Sequence, residues 1–201
     1  MAGMLIAIEG LDQSGKETQA QRLRERLREA GHKVRLLSFP DYGTSIGEEI
    51  ARALQGEREY GSDVMQLLFV ANRHERREAI LEWMAGGLIL VCDRYRASTI
   101  AYGDALGLET TWLEDIQRRL PRADLTIFID IAPTTAAKRK AHGRDRYESD
   151  LSLLERVRAS YQRQAVDPSW IRIDGEPTID EVAQQIFAAV AERLTGRDPA
   201  D

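Results

Sequence analysis

Five short apolar runs punctuate the chain, separated by stretches whose apolar residues recur at helical spacing. MLIAIE (4–9), KVRLLSF (33–39), LILVCD (88–93), DLTIFIDI (124–131) and WIRID (170–174) read as strands. LILVCD is apolar on both faces, as a strand inside a parallel sheet is, and WIRID is less apolar. TQAQRLRERLREAG (18–31) predicts a helix with Leu23 and Leu27 on one face and Gly31 as its stop. SIGEEIARALQG (45–56) predicts a short helix, and residues 62–84 predict one long helix with Ser62 as its N-cap. ASTIAYGDAL (97–106), TTWLEDIQRRL (110–120), residues 150–165 and residues 178–194 also read as helices, and 195–201 as a frayed, disordered tail. The order is β-α-β-α-α-β-α-α-β-α-β-α. It predicts an α/β fold, a five-stranded parallel sheet with helices on both faces. No repeat, low-complexity tract or linker interrupts it, so 1–201 reads as a single domain. In such sheets ligands bind outside the carboxyl ends of the strands.

Composition narrows the partners. The 201 residues suit one domain with a sizeable core, and the net charge of −5 does not attract a nucleic acid polymer. An anionic ligand must therefore be held by local basic clusters. The single cysteine, Cys92, lies in an apolar run and reads as a buried, inert thiol. MAGMLIAIEG lacks a basic start and a long apolar segment, and no run approaches the roughly 20 residues of a membrane span. The expectation is a cytoplasmic protein that does not bind membranes.

The first strand runs directly into GLDQSGKET. Gly10, Gly15 and Lys16 satisfy the phosphate-loop pattern G-x-x-x-x-G-K-[ST], but Glu17 stands where a hydroxyl residue is required. In this pattern the glycines let backbone N–H groups curl around phosphate oxygens, and the following helix adds its positive end. Gly10, Leu11, Asp12, Gln13, Ser14, Gly15, Lys16, Glu17 and Thr18 are thus the candidate phosphate cradle, with Lys16 as the point charge on the β- and γ-phosphates. The hydroxyl normally ligates Mg²⁺. Glu17 could supply a hard oxygen instead, at the cost of negative charge beside polyphosphate. Alternatively Thr18 or water fills that place and Glu17 points away.

Other strand ends add chemistry. LILVCD delivers Asp93, the usual holder of Mg²⁺ through water beside a phosphate loop, and Arg94 next to it could grip an acceptor phosphate. Phe69 and Arg73 are spaced i, i+4 and share a helix face. They could stack on a base and bond its edge, or be a core ring beside a solvated charge. Lys138, Arg139, Lys140, Arg144 and Arg146 put five cations within nine residues. That run could be a solvated face or a basic flap closing over transferring phosphates, a lid at about 138–149.

Together these stretches resemble thymidylate kinase, a family of nucleoside monophosphate kinases of the phosphate-loop class. EGLDQSGKETQ, FPDYGTSIG, LLFVANRHE, DRYRASTIAYG, LPRADLTIFID and GRDRYE fall in the family's order along nearly the whole chain. The resemblance implies a single kinase domain, usually homodimeric through helices that include the one carrying Phe69, with AILEWM (79–84) as apolar surface. It implies transfer of the ATP γ-phosphoryl group to dTMP, with Mg²⁺ as cofactor. Asp12 would face the acceptor sugar, Phe39 and Tyr42 would line the acceptor pocket, and Phe69 would stack on thymine. Arg73 would bond O4, Arg94 would hold the acceptor phosphate, and Tyr102 would lie against the deoxyribose. Asp93 would organise Mg²⁺, and adenine would sit near 174–177. Lys16, Asp93, Arg94, Arg139, Arg144 and Arg146 are the implied catalytic set. Glu17 departs from the family. Gln13 stands where some members carry a catalytic arginine, so a lid arginine (Arg139, Arg144 or Arg146) is expected to serve here. The competing readings are a deoxynucleoside kinase of the same fold and a nucleotide-binding regulator that has lost catalysis.

Overall fold

The computed structural model describes residues 3–139 and 150–196. Its strands are β1 (Met4–Gly10), β2 (Val34–Ser38), β3 (Ile89–Asp93), β4 (Leu125–Asp130) and β5 (Trp170–Asp174). They form one sheet in the order β2-β3-β1-β4-β5, with every pair parallel. From β1 the chain reaches the edge at β2, returns to fill the gap with β3, then crosses to β4 on the other side. Both neighbours of β1 therefore arrive late in the chain, and its carboxyl end lies between theirs. The register sets Ile8 beside Asp93 and Gly10 beside Ile129.

All seven residues of β1 are buried, so both faces of the strand are covered. Met4, Ile6 and Ile8 pack against Leu23 and Leu27 of α1 (Lys16–Glu29) and Ile186 and Val190 of α9 (Ile179–Thr195). Leu5 and Ala7 face the other way, towards Ile80 of α4 (Arg77–Ala85). On that side Phe128 meets Ala101 of α5 (Arg96–Ala105) and Val157 and Tyr161 of α8 (Leu151–Gln164). Each fully buried Leu or Ile in these layers contributes about 1.5–3 kcal/mol relative to exposure.

The five strands fall where the apolar runs predict them, and the helices differ in instructive ways. The expected long helix 62–84 is two, α3 (Ser62–His74) and α4. Asn72, Glu75 and Arg76 at the break are tied to the loop after β2: Asn72 and Thr44 bond Glu75, and Arg76 Nε donates to Asp41 at 2.7 Å. The N-cap of α3 is Gly61, with Ser62 already inside the helix and making no side-chain cap. The first helix begins at Lys16 rather than residue 18, because Gly15 at φ 89° serves as its N-cap. Gly31 at φ 89° ends it as predicted. Only Thr110–Asp115 (α6) of 110–120 is α-helix, and α7 (Pro133–Arg139) was not anticipated. In AILEWM, Ile80 is fully buried and Trp83 and Met84 pack on the core, so Leu81 alone carries the exposed apolar surface of that stretch. α9 runs to Thr195 with Gly196 as its cap, which removes the first two residues of the expected tail. Residues 197–201 lie outside the described residues. Among the described residues no helix is long and apolar enough to cross a membrane.

Candidate active site

The loop after β1 is built around backbone that ordinary side chains resist. Gly10 has φ 149°, and a Cβ there would stand 2.5 Å from Ile129 O, so only glycine fits. Gln13 (φ 64°) and Gly15 (φ 89°) also lie in the left-handed region, which curls the loop back over the start of α1. Lys16 is only 6% exposed, and its Nζ donates to Leu11 O at 2.6 Å. Burial, reinforced by the nearby Arg94 charge, pushes Lys16 down to about 8, against the pull of Asp12, Asp93 and Glu9. Glu17 and Thr18 are exposed on the first turn, and Glu17 accepts a bond from Gln21.

The end of β3 faces this loop. Asp93 is half-buried beside Lys16, burial raises its carboxyl above the ordinary range, and its Oδ1 has no hydrogen-bond partner. Arg94 follows at φ 61°, an unusual conformation for an arginine, held by its N–H donating to Ile8 O at 3.0 Å. The turn aims the guanidinium across the carboxyl end of β1. There Arg94 pairs with Asp12 and also bonds Gly10 O, Ser98 Oγ, Tyr161 OH and Tyr102 OH. Tyr102 OH donates to the second Asp12 oxygen at 2.7 Å. Burial works against the Asp12 charge, but Arg94, Lys16 and the Tyr102 hydroxyl outweigh it and hold the carboxyl far below the usual range.

Two cavities adjoin at this pair. One, of about 320 Å³, is lined by the loop residues Gln13, Gly15, Lys16, Glu17 and Thr18 with Asp93. The other, of about 110 Å³, is lined by Gln66, Phe69, Arg73, Thr99 and Tyr102. Asp12, Phe39, Pro40, Tyr42 and Arg94 border both. The solvated-charge reading of Arg73 is reversed. Arg73 is 3% exposed, donates to Thr99 Oγ1 at 2.7 Å, and is lowered to about 10 by burial, while Phe69 stays half-exposed at the cavity wall. Tyr42, about half exposed, stands at the mouth.

Arg139 reaches this site from the end of α7, donating to Gln13 O at 3.2 Å and Gly175 O at 2.9 Å, so it ties the loop after β1 to the loop after β5. Lys138 is exposed. The other cations of the expected lid, Lys140, Arg144 and Arg146, lie outside the described residues.

Several residues escaped sequence reasoning. Glu9 is 0% exposed, and its carboxylate accepts from Tyr95 N, Ser98 N, Ser98 Oγ and Tyr161 OH at 2.6–3.3 Å. It thereby holds two of the three hydroxyls that bond Arg94, those of Ser98 and Tyr161. The signal was a charge ending an otherwise apolar strand. Asn72 clamps the loop carrying Tyr42, accepting from Asp41 N at 2.7 Å and donating to Asp41 O and Thr44 Oγ1. Thr99, partner of Arg73, had no local signal.

A glycine-bound loop and buried lysine at the carboxyl end of the central parallel strand, with an aspartate ending the next strand, define a phosphate-loop phosphotransferase. The family model described as thymidylate kinase matches residues 8–186. A thymidylate kinase of Schizosaccharomyces pombe is 38% identical over 194 residues, covering 94% of this chain and 92% of its own. The human thymidylate kinase is 35% identical, covering 92% and 88%. A solved thymidylate kinase structure from Candida albicans superposes with a TM-score of 0.82 at 31% identity, covering 96% of this chain and 93% of that one. The chain belongs to the thymidylate kinase family.

Proposed function

We propose that this enzyme transfers the γ-phosphoryl group of ATP to the 5′-phosphate of dTMP, giving dTDP and ADP. The observation that carries this is the pair of adjoining cavities sharing Asp12 and Arg94 as a common border. A donor polyphosphate on the Lys16 side and a nucleotide on the Phe69 side would meet at Arg94. The acceptor phosphate oxygen is already a nucleophile, so positioning and charge neutralisation suffice and no strong base is needed. Lys16 would leave Leu11 O for the β- and γ-phosphate oxygens, and Arg94 would grip the acceptor phosphate. Phe69 would stack on thymine with Arg73 at O4, Phe39 and Tyr42 would line the pocket, and Tyr102 and Asp12 would face the sugar. Arg139 donates to Gln13 O in the loop after β1. With Arg144 and Arg146 it would neutralise charge on the transferring group. Its bond to Gly175 O supports adenine near 174–177.

Mg²⁺ fits the residues present. Among the described residues no cluster of three or more metal-ligating side chains exists, Asp93 lines the phosphate cavity, and its Oδ1 is buried without a hydrogen-bond partner. That suits an ion that keeps its waters and binds through one carboxylate and the substrate's phosphates. When bound it would neutralise β- and γ-phosphate charge. Asp93 would hold it through water, and Glu17, turned towards Gln21, would be at most a distant partner. We place the enzyme in the cytoplasm and read it as a homodimer packed through the outer face of α3, where Val64 and Leu67 are exposed.

The test is ADP production from ATP and Mg²⁺ with dTMP, dUMP, dCMP, dGMP or thymidine, in wild type and Glu17→Ser. The expected result is strong dTMP-dependent turnover in wild type and little with thymidine, which gives Arg94 no phosphate to hold. A silent wild type rescued by Glu17→Ser would make the chain a nucleotide-binding regulator. Preference for thymidine would make it a nucleoside kinase.

A further inference from the structure

Gln66 is the most poorly satisfied amide among the described residues. It is 1% exposed, and neither its Nε2 nor its Oε1 has a hydrogen-bond partner. Gln19 and Gln117 each leave only Oε1 unpaired, because their Nε2 groups donate to Ile179 O and Leu113 O. Asn72, on the same helix and 0% exposed, uses both ends of its amide. Burying an amide without partners is unfavourable, so the position is explained best by a partner that comes and goes. Gln66 lines the cavity with Phe69 and Arg73, and the guanidinium Nε of Arg73 is also buried and unpaired.

We propose that Gln66 reads the imide edge of the acceptor base, accepting N3–H at Oε1 and donating from Nε2 to O2. This deepens the dTMP reading and rests on it. Gln66, Phe69 and Arg73 stand at i, i+3 and i+7 of α3, so they share one face with Phe69 between the other two. At about 1.5 Å of rise per residue, Gln66 and Arg73 are separated by about 10 Å along the axis. A pyrimidine stacked on Phe69 with O4 towards Arg73 turns its N3 and O2 towards Gln66. Arg73 can only donate, which suits the O4 acceptor. The amide offers an adjacent acceptor and donor, which match N3–H beside O2. The cost of the unsatisfied amide in the empty pocket then becomes selectivity: a base without that edge leaves it unpaired.

The experiment compares wild type, Gln66→Leu and Gln66→Met, two apolar replacements of similar length. Thermal unfolding is measured without nucleotide, and kcat and KM with dTMP and with 3-methylthymidine 5′-monophosphate, whose N3 cannot donate. Both variants are expected to unfold at or above the wild-type temperature, because no bond is lost in the empty enzyme. KM for dTMP should rise about tenfold, with kcat within about twofold, since the base edge is remote from the transferring phosphoryl group. The N3-methyl penalty should be large in wild type and shrink about tenfold in the variants. Unchanged KM for dTMP in both variants, or the same N3-methyl penalty in all three proteins, overturns the proposal alone. So does a fall in unfolding temperature accompanied by equal losses in kcat and KM, which marks a structural role. A wild type without dTMP turnover overturns this proposal and the reading beneath it together.

Discussion

Lys16 sits where a lysine is hardest to keep charged. Burial lowers it to about 8, Arg94 pushes the same way, and the carboxylates of Asp12, Asp93 and Glu9 resist. The sign for stability follows. The unfolded lysine holds its proton up to about 10.4, so between pH 8 and that value the unfolded chain binds the proton that the folded chain has released. This residue's contribution therefore becomes more favourable as pH rises through that window. Polyphosphate reverses the balance by placing negative charge against Nζ. At pH 8 the empty enzyme should hold Lys16 about half-protonated, and binding of ATP with Mg²⁺ should take up about half a proton. The uptake should fade towards pH 7. Titration calorimetry in buffers of different ionisation enthalpy measures it, and a binding enthalpy that does not depend on buffer at pH 8 contradicts it. Much of this centre was legible, because the loop pattern names Lys16 and Gly10 by spacing alone. Glu17 was not. Its direction depends on a neighbour one turn along, Gln21, and a pattern of loop residues does not include it. Glu9 was hidden for the opposite reason: every partner of its carboxylate comes from residues 86 or more positions away.

At the scale of elements, α8 matters more than its sequence suggests. It carries Tyr161 into the core, where its ring stacks on Phe128 at 5.3 Å. Its hydroxyl meets Glu9 at 3.1 Å, Ser98 at 2.9 Å and Arg94 at 3.3 Å. α8 thus braces the arginine that turns in from β3. Tyr161→Phe keeps the ring and removes the brace. The expected result is a loss of about 1–2 kcal/mol of stability and a fall of about tenfold in kcat/KM for dTMP, with KM for ATP unchanged. An equal loss for both substrates would mean that Tyr161 serves only the core. Periodicity identifies α8 as a helix but cannot say that one tyrosine on it reaches the end of β1. The same limit explains the broken helix. Glu75 and Arg76 both keep right-handed backbone, with Arg76 at φ −101° and ψ −2°, and no Gly or Pro marks the place. The break comes from side chains answering the loop at 41–44, which is distant in sequence. The strands were legible because both faces of each central strand are buried, and that leaves a continuous apolar run.

For the whole molecule, α3 has two tasks on two faces. One carries Gln66, Phe69 and Arg73 into the acceptor cavity, and Asn72 from the same helix fixes the loop that carries Tyr42. The other exposes Val64 at 38% and Leu67 at 44%, one turn apart. Leu81 of α4 is exposed to 38%. Neighbouring apolar side chains left in water favour association, and a second copy of the chain is the partner that the homodimer reading assigns them. A partner packed there would clamp the helix that lines this cavity from only one helix width away, while the loop of Gly10 to Lys16 lies on β1 and α1. Separating the protomers should therefore loosen the acceptor site more than the donor site. Leu67→Glu is expected to turn a dimer into a monomer by light scattering at about 10 μM, where weak association of about 1 μM Kd is still populated. In the monomer, KM for dTMP should rise severalfold while KM for ATP stays near its wild-type value. A wild type that is monomeric at that concentration removes the dimer. A monomeric variant with both KM values unchanged would leave the dimer but separate it from acceptor binding, and α3 would then hold its cavity face without help from a partner.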